Sequence, residues 1–136
     1  MVMMPGVTKK PEKHKGKPTN STQLALENQT TTTDWTDLDL TAATSANAKW
    51  AYVKMVVIVD SILAGGAVVL SIRKNGDTPG DAPTVRMDSY HGDTASARTD
   101  ICQWVEMDSG QVIEYTISIG GTIQVDCYLV VMDFIE

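Results

Sequence analysis

From residue 22 onward apolar side chains recur at every second position, the spacing of β-strands, and no segment carries a persuasive helical period. Residues 22–27 alternate weakly around Leu24 and Leu26, and a polar run follows at 28–33. Trp35, Leu38 and Leu40 mark a second short strand in TDWTDLDL, ahead of a small, loop-like stretch at 42–48. Residues 49–60, KWAYVKMVVIVD, are rich in β-branched and aromatic side chains and are apolar on both faces. That pattern predicts a central strand covered on both sides.

Ala64-Gly65-Gly66 interrupts this run, and a strand resumes at 67–74 before Asn75-Gly76, a dipeptide suited to a turn with positive φ. The stretch DTPGDAP at 77–83 is turn-forming throughout. Residues 84–90 set Val85 and Met87 against Arg86 and Asp88, and residues 99–107 set Ile101 and Val105 against Cys102, Trp104 and Glu106. Asp108-Ser109-Gly110 turns the chain into a strand at 112–119, Gly120-Gly121 reads as a two-residue hairpin, and 122–135 closes the domain. In that last strand the odd positions, Ile123, Val125, Cys127, Leu129 and Val131, are apolar, while the even positions are mixed. About eight strands, with turn signals roughly every ten residues, predict an all-β fold: an antiparallel β-sandwich of jelly-roll type.

Composition changes this picture at one end. The 136 residues carry a formal charge of −6, but residues 1–20 hold five Lys against one Glu, and the remainder holds six Lys and Arg against sixteen Asp and Glu. Residues 1–21 therefore read as an extended basic arm and 22–136 as the β domain. TKKPEKHKGKP, residues 8–18, has no apolar side chain to offset the entropy of ordering. Its prolines favour extension, so twenty residues reach on the order of 60 Å. Lys9, Lys10, Lys13, Lys15 and Lys17 are the candidate partner-binding residues, suited to an acidic protein surface. They lack the interleaved aromatics of a specific nucleic-acid site, and the acidic domain behind them repels a duplex. No apolar run follows the charged start as a secretory signal requires, and none is long enough for a transmembrane helix.

The chemistry-bearing residues are sparse. His14 lies in the arm, and His91, in the loop SYHGDTAS, has Asp88 and Asp93 as its nearest candidate carboxylates; a solvated loop residue is the plainer reading. Cys102 and Cys127 form no disulfide framework or zinc spacing and are expected as reduced, buried thiols. Asp34, Asp37 and Asp39 cluster, but the rest of a calcium cage is not legible, and a solvated acidic strand edge is expected instead. Trp35, Trp50 and Trp104 sit in strands, where core or interface packing is the expected role and a sugar- or base-binding face the alternative. No enzyme activity, metal or cofactor is expected.

NQTTTTDWTDLDLTAATSANAKWAYVKMVV, then VVLSIRKNGD, then GQVIEYTISIGGTIQVDCYLVVMDF, occur in that order. Together they resemble a type of small β-sandwich common among tailed-bacteriophage virion proteins, across residues 28–136. In such proteins a W-x-D-L-D-L strand leads to a long apolar strand, an R-K-N-G corner and a closing strand pair. The resemblance implies a capsid decoration (cement) protein: a homotrimer on the capsid surface, assembled in the host cytoplasm, with an arm lying on the major capsid protein. It also implies an alternative, a tail or fibre module that binds host-surface carbohydrate. The expected organisation, a free-standing β domain plus an arm, favours decoration. No membrane partner and no specific nucleic acid are expected.

Overall fold

The computed structural model describes the backbone of residues 21–78, 82–89 and 97–136, and the side chains of these except 60–65, 87–89 and 97. The arm, with its five lysines and His14, and the loop holding His91 and Asp93 lie outside the described residues, as does the side chain of Asp88. Six strands are formed: β1 (Ser21–Gln29), β2 (Thr36–Asp39), β3 (Trp50–Lys74), β4 (Thr84–Ser89), β5 (Ala97–Glu106) and β6 (Val112–Ile135). All pairings are antiparallel.

Two of these strands are far longer than the rest. β3 and β6 pair along almost their whole length, from Trp50 opposite Ile135 to Lys74 opposite Ile113. Their two halves have different outer neighbours. Residues 50–59 of β3 pair with β5, and residues 125–131 of β6 pair with β1. Residues 66–71 of β3 pair with β4, and residues 112–115 of β6 pair with β2. The six strands form one continuous hydrogen-bonded sheet, and each long strand contributes one segment to each of its two four-stranded halves, here called the first and second sheets. The first runs β1, C-terminal β6, N-terminal β3, β5; the second runs β2, N-terminal β6, C-terminal β3, β4. Counting the halves separately gives eight segments in the strand order of a double-sheet jelly roll.

The expected hairpin at Gly120-Gly121 is corrected by this pairing. Both glycines remain in β6, opposite Ala67 and Gly66, so the chain crosses between sheets instead of reversing. The same holds for the break expected at residues 64–66. From Val59 to Val68 β3 advances nine positions while its partner retreats six, from Val125 to Ile119, and the excess is taken up in register shifts. Those irregularities bend the strand and change which residues face inward. Ala51, Val53, Met55, Val57 and Val59 are buried before the bend, and Val68, Leu70 and Ile72 after it. At the crossing a side chain on Gly66 would strike the Gly120 carbonyl oxygen and stand 2.9 Å from Ile123 Cγ2. Glycine is needed there so that the two backbones can approach.

The inward faces of both sheets form one cluster, including Leu38, Leu40, Leu70, Ile113, Ile117, Cys127 and Leu129. Each fully buried aliphatic side chain of this kind contributes about 1.5–3 kcal/mol. The odd positions of β6 are buried from Ile113 to Ile117 and again from Ile123 to Val131, on either side of the crossing at Gly120-Gly121. One extra residue, Met132, then shifts the register, and Phe134 takes the buried place. The expected Asn75-Gly76 turn is formed: Asp77 N donates to Lys74 O at 3.1 Å, and Gly76 has φ 78°, as position i+2 of a type II turn requires.

The polar run at 30–33 has a structural task. Thr33 N donates to Ile117 O at 2.9 Å, and Thr32 and Thr33 hydroxyls accept from the Ile119 and Ile117 amides at 3.0 Å. Threonine side chains thus satisfy the β6 edge beyond the end of β2.

Candidate binding surfaces

Among the described residues, the candidates named from the sequence do not converge. Asp37 and Asp39 are exposed on either side of buried Leu38. The Asp39 carboxylate accepts from Thr41 N at 2.8 Å, a bond that holds it below the usual carboxylate range. This is a turn cap, and among the described residues no three His, Cys, Asp or Glu side chains are grouped to hold a metal. Asp108 has a similar task at the 107–111 turn. Its Oδ1 accepts from Gly110 N and Val112 N at 2.8 and 2.9 Å, and its Oδ2 from Asn75 Nδ2 at 2.8 Å. These donors, the Asn75 amide foremost, lower its carboxyl pKa.

The two cysteines part company. Cys127 is buried in the core, and desolvation pushes its thiol up to about 12. Cys102 is exposed, contrary to expectation, because β5 turns it to the outer face opposite Lys54.

None of the three tryptophans enters the core cluster. Trp35 lies under the Arg73 guanidinium, 3.9 Å from ring centroid to Cζ. Arg73 Nε in turn donates to Glu114 Oε2 at 2.7 Å, and both side chains are largely shielded from solvent. Trp104 packs on Tyr52 at 4.9 Å between centroids. Trp50 is 42% exposed.

Two surfaces emerge. The first is the outer face of the first sheet. Val56, Ile58, Tyr128, Val130 and Met132 line a shallow concavity of about 460 Å³ there, with Lys54 and Arg98 beside it. Lys54 Nζ and Arg98 contact Asp100 at 3.3 and 3.4 Å, so the apolar floor is bordered by both signs of charge. β1, the strand that follows the arm, forms the edge of this same sheet, and Thr22 reaches the concavity. Residues 50–59 were predicted to be covered on both sides. The chain itself covers the inner side and, on the outer one, Val56, while Tyr52, Lys54 and Ile58 remain partly open there.

The second surface is the end of the sandwich around Trp50, where Lys49, Glu106, Asp108 and Glu136 meet. Sequence reasoning named Trp50 and Trp104 but not Lys49, Asp108 or Glu136 beside them, since β3, β5 and β6 are joined there only by pairing. The even face of β6 was read as mixed; its run Tyr128, Val130, Met132 was the available signal for the first surface. Compared with known protein-family models and with curated proteins, the chain matches none.

Proposed function

We propose that this chain is a structural virion protein that decorates and stabilises a phage capsid. In this reading the jelly-roll domain associates with copies of itself, as a homotrimer, through the outer face of the first sheet. The basic arm, with Lys9, Lys10, Lys13, Lys15 and Lys17, lies along neighbouring major capsid subunits and clamps them. The observation that carries the reading is the apolar concavity at Val56, Tyr128 and Val130, set in the sheet whose edge strand continues from the arm. A partner seated on this face lies beside the arm's point of departure.

A second copy is the occupant that fits the face, because Lys54, Arg98 and Asp100 offer both signs of charge around an apolar floor. The motif order shared with virion β-sandwich proteins supports the same reading. One weak arm contact repeated around a trimer gains strength through effective concentration.

The test has two parts. Val130→Lys is expected to convert the oligomer to monomer by light scattering while leaving the β spectrum intact. Removal of residues 1–20 is expected to lower occupancy on assembled capsids and their resistance to heat. Unchanged occupancy and heat resistance would sink the clamp, and a wild-type chain that stays monomeric at high concentration would sink the trimer.

A further inference from the structure

Trp50 occupies the first position of β3, and the backbone of Lys49 just before it is held from both sides. Lys49 N donates to Ile135 O at 2.8 Å, and Lys49 O accepts from Met107 N at 2.8 Å. The indole therefore projects from a rigid corner. It is the large hydrophobic side chain left exposed among the described residues. Concavities open on either side of it, one of about 640 Å³ towards Asn47, Glu106, Asp108 and Glu136, the other of about 360 Å³ towards Trp104 and Ile135. Their sizes fall in the range of small-molecule sites, about 300–1,000 Å³.

We propose that Trp50 and the polar groups around it bind a neutral oligosaccharide, in addition to any role of the outer sheet face. A pyranose ring presents an apolar C–H face and a rim of hydroxyls. The exposed indole matches the first, and carboxylate and amide groups match the second. Two of those acceptors are already oriented. Ser45 Oγ donates to Glu136 Oε1 at 2.6 Å, and Lys74 Nζ donates to Glu106 Oε1 at 3.0 Å. A carboxylate has about four lone-pair sites, so these contacts leave acceptor capacity for sugar hydroxyls.

Charge narrows the ligand class. Asp77, Glu106, Asp108 and Glu136 outnumber Lys49, Arg73 and Lys74 around the indole. A uronate or a nucleic-acid phosphate is repelled by that excess, whereas a neutral hexose or N-acetylhexosamine chain is not. A protein-contact hot spot is a poorer fit. Such anchors sit centrally in desolvated apolar patches, and Trp50 sits at the end of the sheet among charged groups.

The experiment titrates the full chain with cello-, malto- and N-acetylglucosamine oligosaccharides, and with oligogalacturonate and single-stranded DNA, by tryptophan fluorescence and calorimetry. Saturable binding is expected for at least one neutral series and for neither polyanion. Trp50→Ala is expected to weaken it about tenfold, the scale of one aromatic contact, with an unchanged melting temperature. Trp50→Phe should recover part of the loss, and Glu136→Gln should weaken binding a few-fold. The proposal is overturned if no neutral series saturates, if a polyanion is preferred, or if Trp50→Ala binds as well as wild type. It is equally overturned if Trp50→Ala changes only self-association, which marks the indole as a protein contact. Because Val130→Lys leaves this corner untouched, sugar binding that survives in that variant separates the site from the trimer.

Discussion

The two sheets share one core but meet their surroundings differently. On the outside of the second sheet, Arg73 is locked between the Trp35 ring and the Glu114 carboxylate, and Thr116 Oγ1 donates to Thr33 O at 2.6 Å. Polar groups there are matched by polar groups of the same chain. On the outside of the first sheet, Val56, Ile58, Tyr128, Val130 and Met132 form an apolar floor with only a charged border. An antiparallel sheet facing water normally alternates apolar inside with polar outside. The second sheet obeys that rule, and the first breaks it beside Thr22, near the start of β1. The difference teaches that the interior specifies the fold, whereas the departure from alternation on one exterior marks the surface to test for a partner.

The largest effects test the sameness inside. Leu129→Ala in the first sheet and Ile117→Ala in the second are each expected to lower stability by about 2–5 kcal/mol, since both side chains are fully buried. Denaturant unfolding should show one cooperative transition in both variants. Two separated transitions would mean that the sheets are independent units and would break the comparison.

Gly66→Ala comes next. Its Cβ has no room between Gly120 and Ile123, and overpacking of this kind costs about 1–3 kcal/mol. A melting temperature equal to that of wild type would show that the crossing is loose.

The ion pairs then sharpen the contrast outside. Glu114→Gln removes the partner of a shielded Arg73 and is expected to cost about 1.5 kcal/mol, the scale of a charged hydrogen bond. Lys54→Gln on the first sheet breaks an open pair and should leave the melting temperature unchanged. Equal losses would contradict the difference in shielding.

The smallest effect concerns the thiols. In the native protein a water-soluble disulfide reagent should label Cys102 quickly and reach Cys127 only on unfolding. Because the Cys127 pKa is raised in the folded state, its contribution to stability is complete below the ordinary thiol value of 9.0. That contribution is lost as pH rises from there towards about 12. Cys127→Ala should therefore flatten the alkaline limb of the stability profile, measured by thermal unfolding across that window.

Much of the fold was legible because it is local. The period-two alternation of residues 112–131, the Asn75-Gly76 turn and the strand at 84–89 each follow from neighbouring residues. Gly120-Gly121 was misread because a glycine pair permits a hairpin and a crossing equally, and only the partner strand decides between them. Cys102 was misassigned for a related reason: its strand was recognised, but not which face of β5 the sandwich encloses. Of the candidate surfaces, Trp50 and the doubly apolar run around Val56 stood out in the sequence. Their neighbours Glu106, Glu136 and Tyr128 come from strands distant along the chain.

By itself, then, the amino-acid order determined the strand periodicity, the positive-φ turn and the contrast between a basic stretch at residues 1–20 and an acidic remainder. Those depend on side-chain spacing, backbone sterics and charge within a few residues. The tertiary structure alone decided that β3 and β6 run through both sheets, that one apolar face stays outside, and that Trp50 meets Glu106 and Glu136. Such outcomes depend on register between distant strands, where shifting the pairing by one residue exchanges the inner face for the outer.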